Sequence, residues 1–463
     1  MQNYLKLNKL DQKSWLYLAG CLGAVPLGNW VLKSPDTAGA ILVGLVVVVC
    51  GLFSVARNQE DQKFLVRIFL VALLLRWVAA IFIYNTSCLN HLVGDATTYD
   101  FWGMELCRSW EGLRDPNNPL FKRITNINNS GWGMAYYVAA IYYVIGQNAL
   151  AANFITACFG AASAVVVYKV VLLIIPQPRI ARTAAVLVAA TPSLVIWSSQ
   201  AMKDGLIVFC LSMCAFYALK LREKLRLTNL FWLSLFLFCL FSLRHYVFYI
   251  LFISIAGALI LGAKKLSPLR ITQGGALVVV IGVLFVYFGA QDIVEKNFDL
   301  KRIQAGRVWS AGVSNTGFGS DVDITDTRAA LTYLPIGTAY VLLAPFPWMI
   351  NSLGQVITLP ELILWWLSIP FLIKGFWYAI RHHLSESLAI CLFTIGLTLV
   401  YALYQSNVGT AYRHRSQLYV FFFIFISIGW ELRRNAKLLK QAEKAHWYEQ
   451  VRTRHTLNAP AAN

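Results

Sequence analysis

The chain has 463 residues and a formal net charge of +18; 58% of its residues are hydrophobic and only 13% charged. A soluble domain carries roughly 25% charged residues, so this composition excludes an ordinary water-soluble protein. The basic excess resembles a nucleic-acid signal, but its distribution along the chain gives it another meaning.

Runs such as Ala38 to Phe53, Thr272 to Ala290 and Tyr419 to Trp430 carry no charge. Runs near 20 apolar residues match the ~30 Å hydrocarbon core of a bilayer. Lipid offers backbone amides no partner, so such spans are helices or closed barrels. The runs are continuously apolar without strand-like alternation, which predicts an all-α polytopic membrane protein. Candidate segments lie at 15–32, 39–56, 66–84, 132–147, 150–173, 183–199, 204–220, 229–243, 246–263, 272–290, 331–349, 357–373, 387–404 and 416–431. Polar loops at 85–131 and 291–330 interrupt them. The first run is long and a second follows closely, a pattern of spans rather than of a cleavable signal peptide.

Segments 132–147 and 331–349 are short or aromatic and hold Gly or Pro. If neither crosses, about 12 crossings remain and both termini are cytoplasmic. Inside positions then hold 25 Lys/Arg against 8 Asp/Glu, and outside positions 14 against 14. That is the positive-inside pattern, and it removes the argument for nucleic acid. The basic tail from Arg433 to Arg454 becomes a cytoplasmic orientation signal that can also touch anionic membrane lipid. Arg76 falls in mid-span, where a charge is costly and requires a buried partner.

Six of the nine cysteines sit in apolar runs as small hydrophobes. Cys88 and Cys107 share the first polar loop. They either pair in an oxidising compartment or stay free.

The outward positions collect the chemistry. They are Asp95, Asp100, Glu105 and Glu111 in the first loop, Lys203 and Asp204 between two helices, and Arg244 and His245 at a tight turn. Asp321, Asp323, Asp326 and Arg328 follow in the second loop, and Arg413, His414 and Arg415 precede the last helix. Each has a structural alternative. Asp95 and Asp100 suit turns and helix caps, Asp204 suits a helix first turn, and Arg244 can snorkel to an interface. The aspartates of the second loop lack the full calcium-loop pattern. No metal ligands are assigned, and a divalent cation is the one cofactor left open.

Carboxylates and scattered cations on one membrane face suit sugar transfer from a polyprenyl-phosphate donor. A carboxylate takes the acceptor proton, and cations stabilise the departing phosphate beside an oxocarbenium-like sugar. The expected acceptor is a glycan, lipid or protein. An O-antigen or exopolysaccharide polymerase or ligase is the alternative, and a lipid or polysaccharide transporter a further one. A transporter usually carries midplane charges and repeats, whereas only Arg76 and no repeat are seen.

The order of motifs over residues 65–245 resembles the GT-C superfamily of membrane glycosyltransferases. These motifs are His91-Leu-Val-Gly-Asp95-Ala-Thr-Thr-Tyr99-Asp100, Gly131-Trp-Gly-Met-Ala-Tyr-Tyr, Gly146 to Asn153, Thr191-Pro192-Ser193 and Trp197 to Lys203-Asp204. The likeness is strongest to the protein mannosyltransferase and aminoarabinose transferase branch. It implies juxtamembrane helices in the first outer loop and a catalytic acid there. Asp95 takes that place if Tyr99 matches the family tyrosine, with Asp100 as rival. Tyr99, Lys203, Asp204, Arg244, His245, Arg413 and Arg415 are the expected substrate-binding residues. The implied organisation is two extra helices at 1–64, a catalytic module at 65–264, further helices at 265–432, and a cytoplasmic tail at 433–463. A bacterial inner membrane is the expected location.

Overall fold

The computed structural model describes residues 36–55, 61–86, 90–115, 117–261, 299–314, 316–350 and 353–457, with the single residues Ala19 and Gly275. Apart from those two residues, the candidate spans 15–32 and 272–290 lie outside the described residues, as does Cys88. Every regular element among the described residues is helical, and the one pairing of extended backbone is an isolated bridge between Gly317 and Asn407.

The helices in chain order are α1 (Asp36–Val55), α2 (Gln62–Asn85), α3 (Asn90–Trp110), α4 (Pro119–Thr125), α5 (Trp132–Ile145) and α6 (Ala149–Ile174). Next come α7 (Pro178–Ala190), α8 (Pro192–Ser198), α9 (Lys203–Glu223), α10 (Leu227–Leu243) and α11 (His245–Leu261). The chain ends with α12 (Leu300–Gly312), α13 (Thr327–Leu343), α14 (Leu353–Tyr404) and α15 (Val408–Leu457). Four described stretches are long and apolar enough to cross a membrane: α2, α6, α9 and Gln355–Tyr404 within α14. The pair α7 and α8, bent by 56°, makes a fifth if it is one span. At 1.5 Å per residue the 52-residue α14 would reach about 78 Å, more than twice the hydrocarbon core. It is broken at His383, whose backbone is non-helical. Helix α5 has 14 residues, about 21 Å, too short to cross upright. The first polar loop is itself helical, forming α3 and α4, and the second contains α12.

The bend between α7 and α8 follows from sequence. Pro192 has no N–H, so the Val188 carbonyl loses its helical donor. The Ser193 amide leaves Ala189 and donates instead to Glu361 Oε2 at 2.7 Å, while Ser193 Oγ donates to Oε1. Arg76 supplies what is missing: Nη2 donates to Val188 O at 3.3 Å, Nη1 to Ala189 O at 3.1 Å, and Nε to Ser198 Oγ at 2.8 Å. A cation thus sits at the carboxyl end of α7 and a carboxylate at the amino end of α8, each on the end its charge suits. Arg76, buried in an apolar helix, therefore has a structural partner in the broken backbone.

Helices α14 and α15 lie against each other with backbone contact. A Cβ at Gly375 would collide with the Phe425 carbonyl, and one at Gly429 with the Phe371 carbonyl. Such small-residue seams replace the hydrophobic effect as the source of close packing between helices in lipid. Cys107 is a free, buried thiol whose Sγ donates to Glu111 at 3.6 Å.

Arg76→Leu should destabilise the protein by roughly 2–5 kcal/mol, the scale of two buried carbonyls left unpaired, as measured by unfolding in detergent. Adding Pro192→Ala should recover part of the loss by restoring an N–H opposite Val188. Wild-type stability in Arg76→Leu would show that the break is held without it.

Candidate functional site

Four separate stretches meet at the ends of α9, α10 and α15. Asp204 stands in the first turn of α9, where a carboxylate suits the helix dipole. Its side chain is 1% exposed. Arg413 donates to Asp204 Oδ2 from Nε at 2.7 Å and from Nη2 at 2.5 Å. Gln417 Nε2 donates to Oδ1 at 3.0 Å. Arg244, also buried, approaches Oδ1 at 3.5 Å. A carboxylate removed from water requires this compensation, and two guanidiniums and an amide supply it.

The second carboxylate is of a different kind. Asp95 lies on α3 with its side chain 50% exposed, and Arg413 Nη1 donates to its Oδ2 at 2.6 Å. Its Oδ1 has no partner among the described residues. Arg413 therefore bridges a buried acid and an open one, and its guanidinium lies 5.5 Å over the Trp197 ring. Tyr99, one helical turn beyond Asp95, is buried beside it. Burial and the Asp95 charge push its phenol up to about 12, so it stays a neutral donor. At Gly131, whose φ is +99°, an added Cβ would stand 3.0 Å from Tyr99 Oη and 3.6 Å from Lys203 Nζ. Those two groups thus flank one glycine. Lys203 forms no ion pair within 4 Å among the described residues, although Asp95, Asp204, Arg244 and Arg413 are all near enough to act on its charge.

The structure brings together Asp95, Tyr99, Lys203, Asp204, Arg244 and Arg413. It separates Asp100 and Arg415 from them, for reasons of helical geometry, whereas His245 stays within reach of the Lys203 charge. Residues 91–100 form helix rather than loop. Five residues therefore rotate Asp100 by about 140° from Asp95, and its carboxylate accepts instead from the Tyr142 hydroxyl. Arg415, about 200° from Arg413, is fully buried and donates to the Val341 and Ala344 carbonyls at the end of α13. His245 is buried with its ring 4.7 Å from that of Phe241.

Gln417, Trp197, Gln405 and Tyr401 join the cluster without having been singled out from sequence. The spacing of Arg413 and Gln417, one helical turn, is the only signal that pairs two of them. Tyr401 Oη donates to Gln417 Oε1 at 2.7 Å, and Gln405 Nε2 lies 2.7 Å from His414 Nδ1. Among the described residues no three His, Cys, Asp or Glu side chains group as a metal site. The two nearby carboxylates are bridged by a guanidinium, so the cluster is built around an organic cation. The chain matches no protein family, and no curated protein sequence matches it.

Asp204→Asn should cost about 3–5 kcal/mol, because it leaves buried arginines without their counter-charge. Asp95→Asn should cost less than about 1 kcal/mol, as for an exposed pair. Thermal unfolding of both purified variants checks this; equal losses would contradict the division into anchor and open acid.

Proposed function

We propose that this chain is a membrane glycosyltransferase moving a sugar from a polyprenyl-phosphate carrier to an acceptor on the outer face. The observation that carries the reading is the half-exposed Asp95 carboxylate, held at one oxygen by Arg413 and open at the other, beside an unpaired Lys203. Its likeness in motif order to GT-C enzymes supports the same reading. The proposed frame has about 12 crossings, both termini in the cytoplasm, and a bacterial inner membrane as its location.

The residues divide the work as follows. Asp95 Oδ1 accepts the proton of the acceptor hydroxyl as that oxygen bonds to the anomeric carbon. The bond from that carbon to the phosphate oxygen breaks, and the electron pair leaves with the lipid phosphate. Lys203 Nζ and Arg244 Nη1, which has no hydrogen-bond partner among the described residues, are the donors that meet the charge that develops there. Arg413 is a positioning residue: it fixes Asp95 through its own anchor on Asp204. Asp204 carries no proton in this scheme, since both its oxygens are occupied by donors.

With a defined lipid-linked donor and purified protein, Asp95→Asn should lower transfer by about 10²-fold or more while leaving the fold intact. Lys203→Ala should weaken donor use by roughly 1.5–3 kcal/mol, a charged hydrogen bond lost. Asp100→Asn should stay near wild type. Full activity in Asp95→Asn would remove the catalytic role of α3. In the topology arm, a cysteine near Gln405, at the exposed Gly409, should react with impermeant reagents and one at Lys224 only with permeant ones. Labelling of position 224 from outside contradicts the proposed orientation.

A further inference from the structure

Three other arginines are fully buried, and they differ in how well they are satisfied. Arg76 donates from Nε, Nη1 and Nη2. Arg415 donates from Nε and Nη2. Arg307, on α12 in the second outer loop, donates only from Nη2, to the Gly319 carbonyl at 2.6 Å. Its Nε and Nη1 have no hydrogen-bond partner among the described residues, although the residue is 0% exposed. The guanidinium lies 4.2 Å over the Tyr333 ring. Among the described residues the Tyr333 hydroxyl has no partner other than this guanidinium, and the Asp321 carboxylate is near enough to act on its charge. Idle donors on a buried cation are costly unless something supplies acceptors.

The loop over Arg307 is built for close approach. Gly319 has φ of +61°, and a Cβ there would collide with the Tyr333 hydroxyl. The loop is tied to the turn that leads into Arg413: Phe318 N donates to Ser406 O at 2.7 Å, Val408 N to Thr316 O at 3.0 Å, and Ser406 Oγ to Arg307 O at 2.7 Å. An aromatic path completes the link. The Tyr404 ring stands 5.4 Å from that of Tyr246, over which Arg244 lies at 5.8 Å. Arg307 is therefore joined through Tyr404 and Tyr246 to the Arg244 side of the Asp95 cluster. Helix α12 exposes Lys301 and Arg302 together with Val308 and Trp309, so a ligand meets cations and an aromatic ring on its approach to the buried guanidinium.

We infer that Arg307 and Tyr333 form an oxyanion subsite for the acceptor, taking a carboxylate or phosphate borne by an acidic glycan. The inference rests on the glycosyl-transfer reading for which substrate arrives there. A planar guanidinium with two free nitrogens matches a two-oxygen anion in a fork geometry. The Tyr333 hydroxyl supplies a further donor, and the Gly319 carbonyl yields its place on Nη2 as the ligand enters.

The test measures binding by saturation-transfer NMR to the full chain in nanodiscs. The probes are three trisaccharides ending in glucose, glucuronate or glucose 6-phosphate. An acidic probe should bind at least about tenfold more tightly than the neutral one. Preference for glucuronate identifies a carboxylated acceptor, and preference for the phosphate a phosphorylated one. Arg307→Gln should reduce the acidic probes to the neutral level. Tyr333→Phe, which keeps the ring under the guanidinium, should weaken them by roughly two- to fivefold and decides the matter if Arg307→Gln does not fold. Lys224→Ala, at the far end of α9, should bind all three as wild type does; the probes are read without any lipid-linked donor, so failure of the donor-phosphate reading and failure of this subsite are separately visible. Equal binding of neutral and acidic probes, or unchanged acidic binding in folded Arg307→Gln, overturns the inference.

Discussion

A single buried carboxylate organises the end of the helix bundle where α9 begins. Asp204 has both oxygens occupied, by Arg413 and by Gln417, with Arg244 close by. Arg413 is 209 residues away in sequence, so satisfying Asp204 requires the first turn of α9 and the first turns of α15 to meet. Arg244 adds the end of α10. Once those ends are joined, Arg413 has one nitrogen left to reach Asp95, 318 residues before it. The open acid is placed by the closed one, and the strength of the arrangement comes from burial rather than from an exposed ion pair, which on its own contributes little.

Below that cluster the protein handles broken backbone by the same rule. Pro192 interrupts an apolar segment, and water is not there to satisfy the freed groups. Arg76 covers the carbonyls on one side of the break and Glu361 the amide on the other. The bend redirects the chain so that Trp197 stands under Arg413 and the connection 199–202 leads into Lys203 and Asp204. Asn153 of α6 holds that connection by accepting from the Ala201 amide at 2.6 Å. Two charged residues inside apolar helices are thus structural supports of the stretch that carries the site.

Much of this was legible in the sequence, because lipid restricts what apolar chains can do. Continuous apolar runs read as helices, and the acids and bases left over fell at helix ends where the cluster lies. Asp95, Lys203, Asp204, Arg244 and Arg413 were visible in that way, and Tyr99 through the motif resemblance. Their partnerships were not, since no local spacing links residue 95 or 204 to residue 413. The choice between Asp95 and Asp100, or between Arg413 and Arg415, depended on knowing that each pair lies on helix. Rotation per residue then sends the two side chains to different surroundings. Reading 85–131 as a polar loop hid this for Asp95, although motif likeness pointed to helices there. Arg76 was recognised as needing a partner, but that partner is a set of backbone carbonyls, which no side-chain pattern reveals.

The direct measurement is where a lipid phosphate binds. A cryo-EM structure of the protein in nanodiscs with a polyprenyl phosphate should show the phosphate within hydrogen-bonding distance of Lys203 Nζ and Arg244 Nη1, with Asp95 Oδ1 still open toward the aqueous side. A phosphate seated at the opposite end of α9, against Arg222 and its partner Glu386, with the Lys203 region unchanged, would contradict the account.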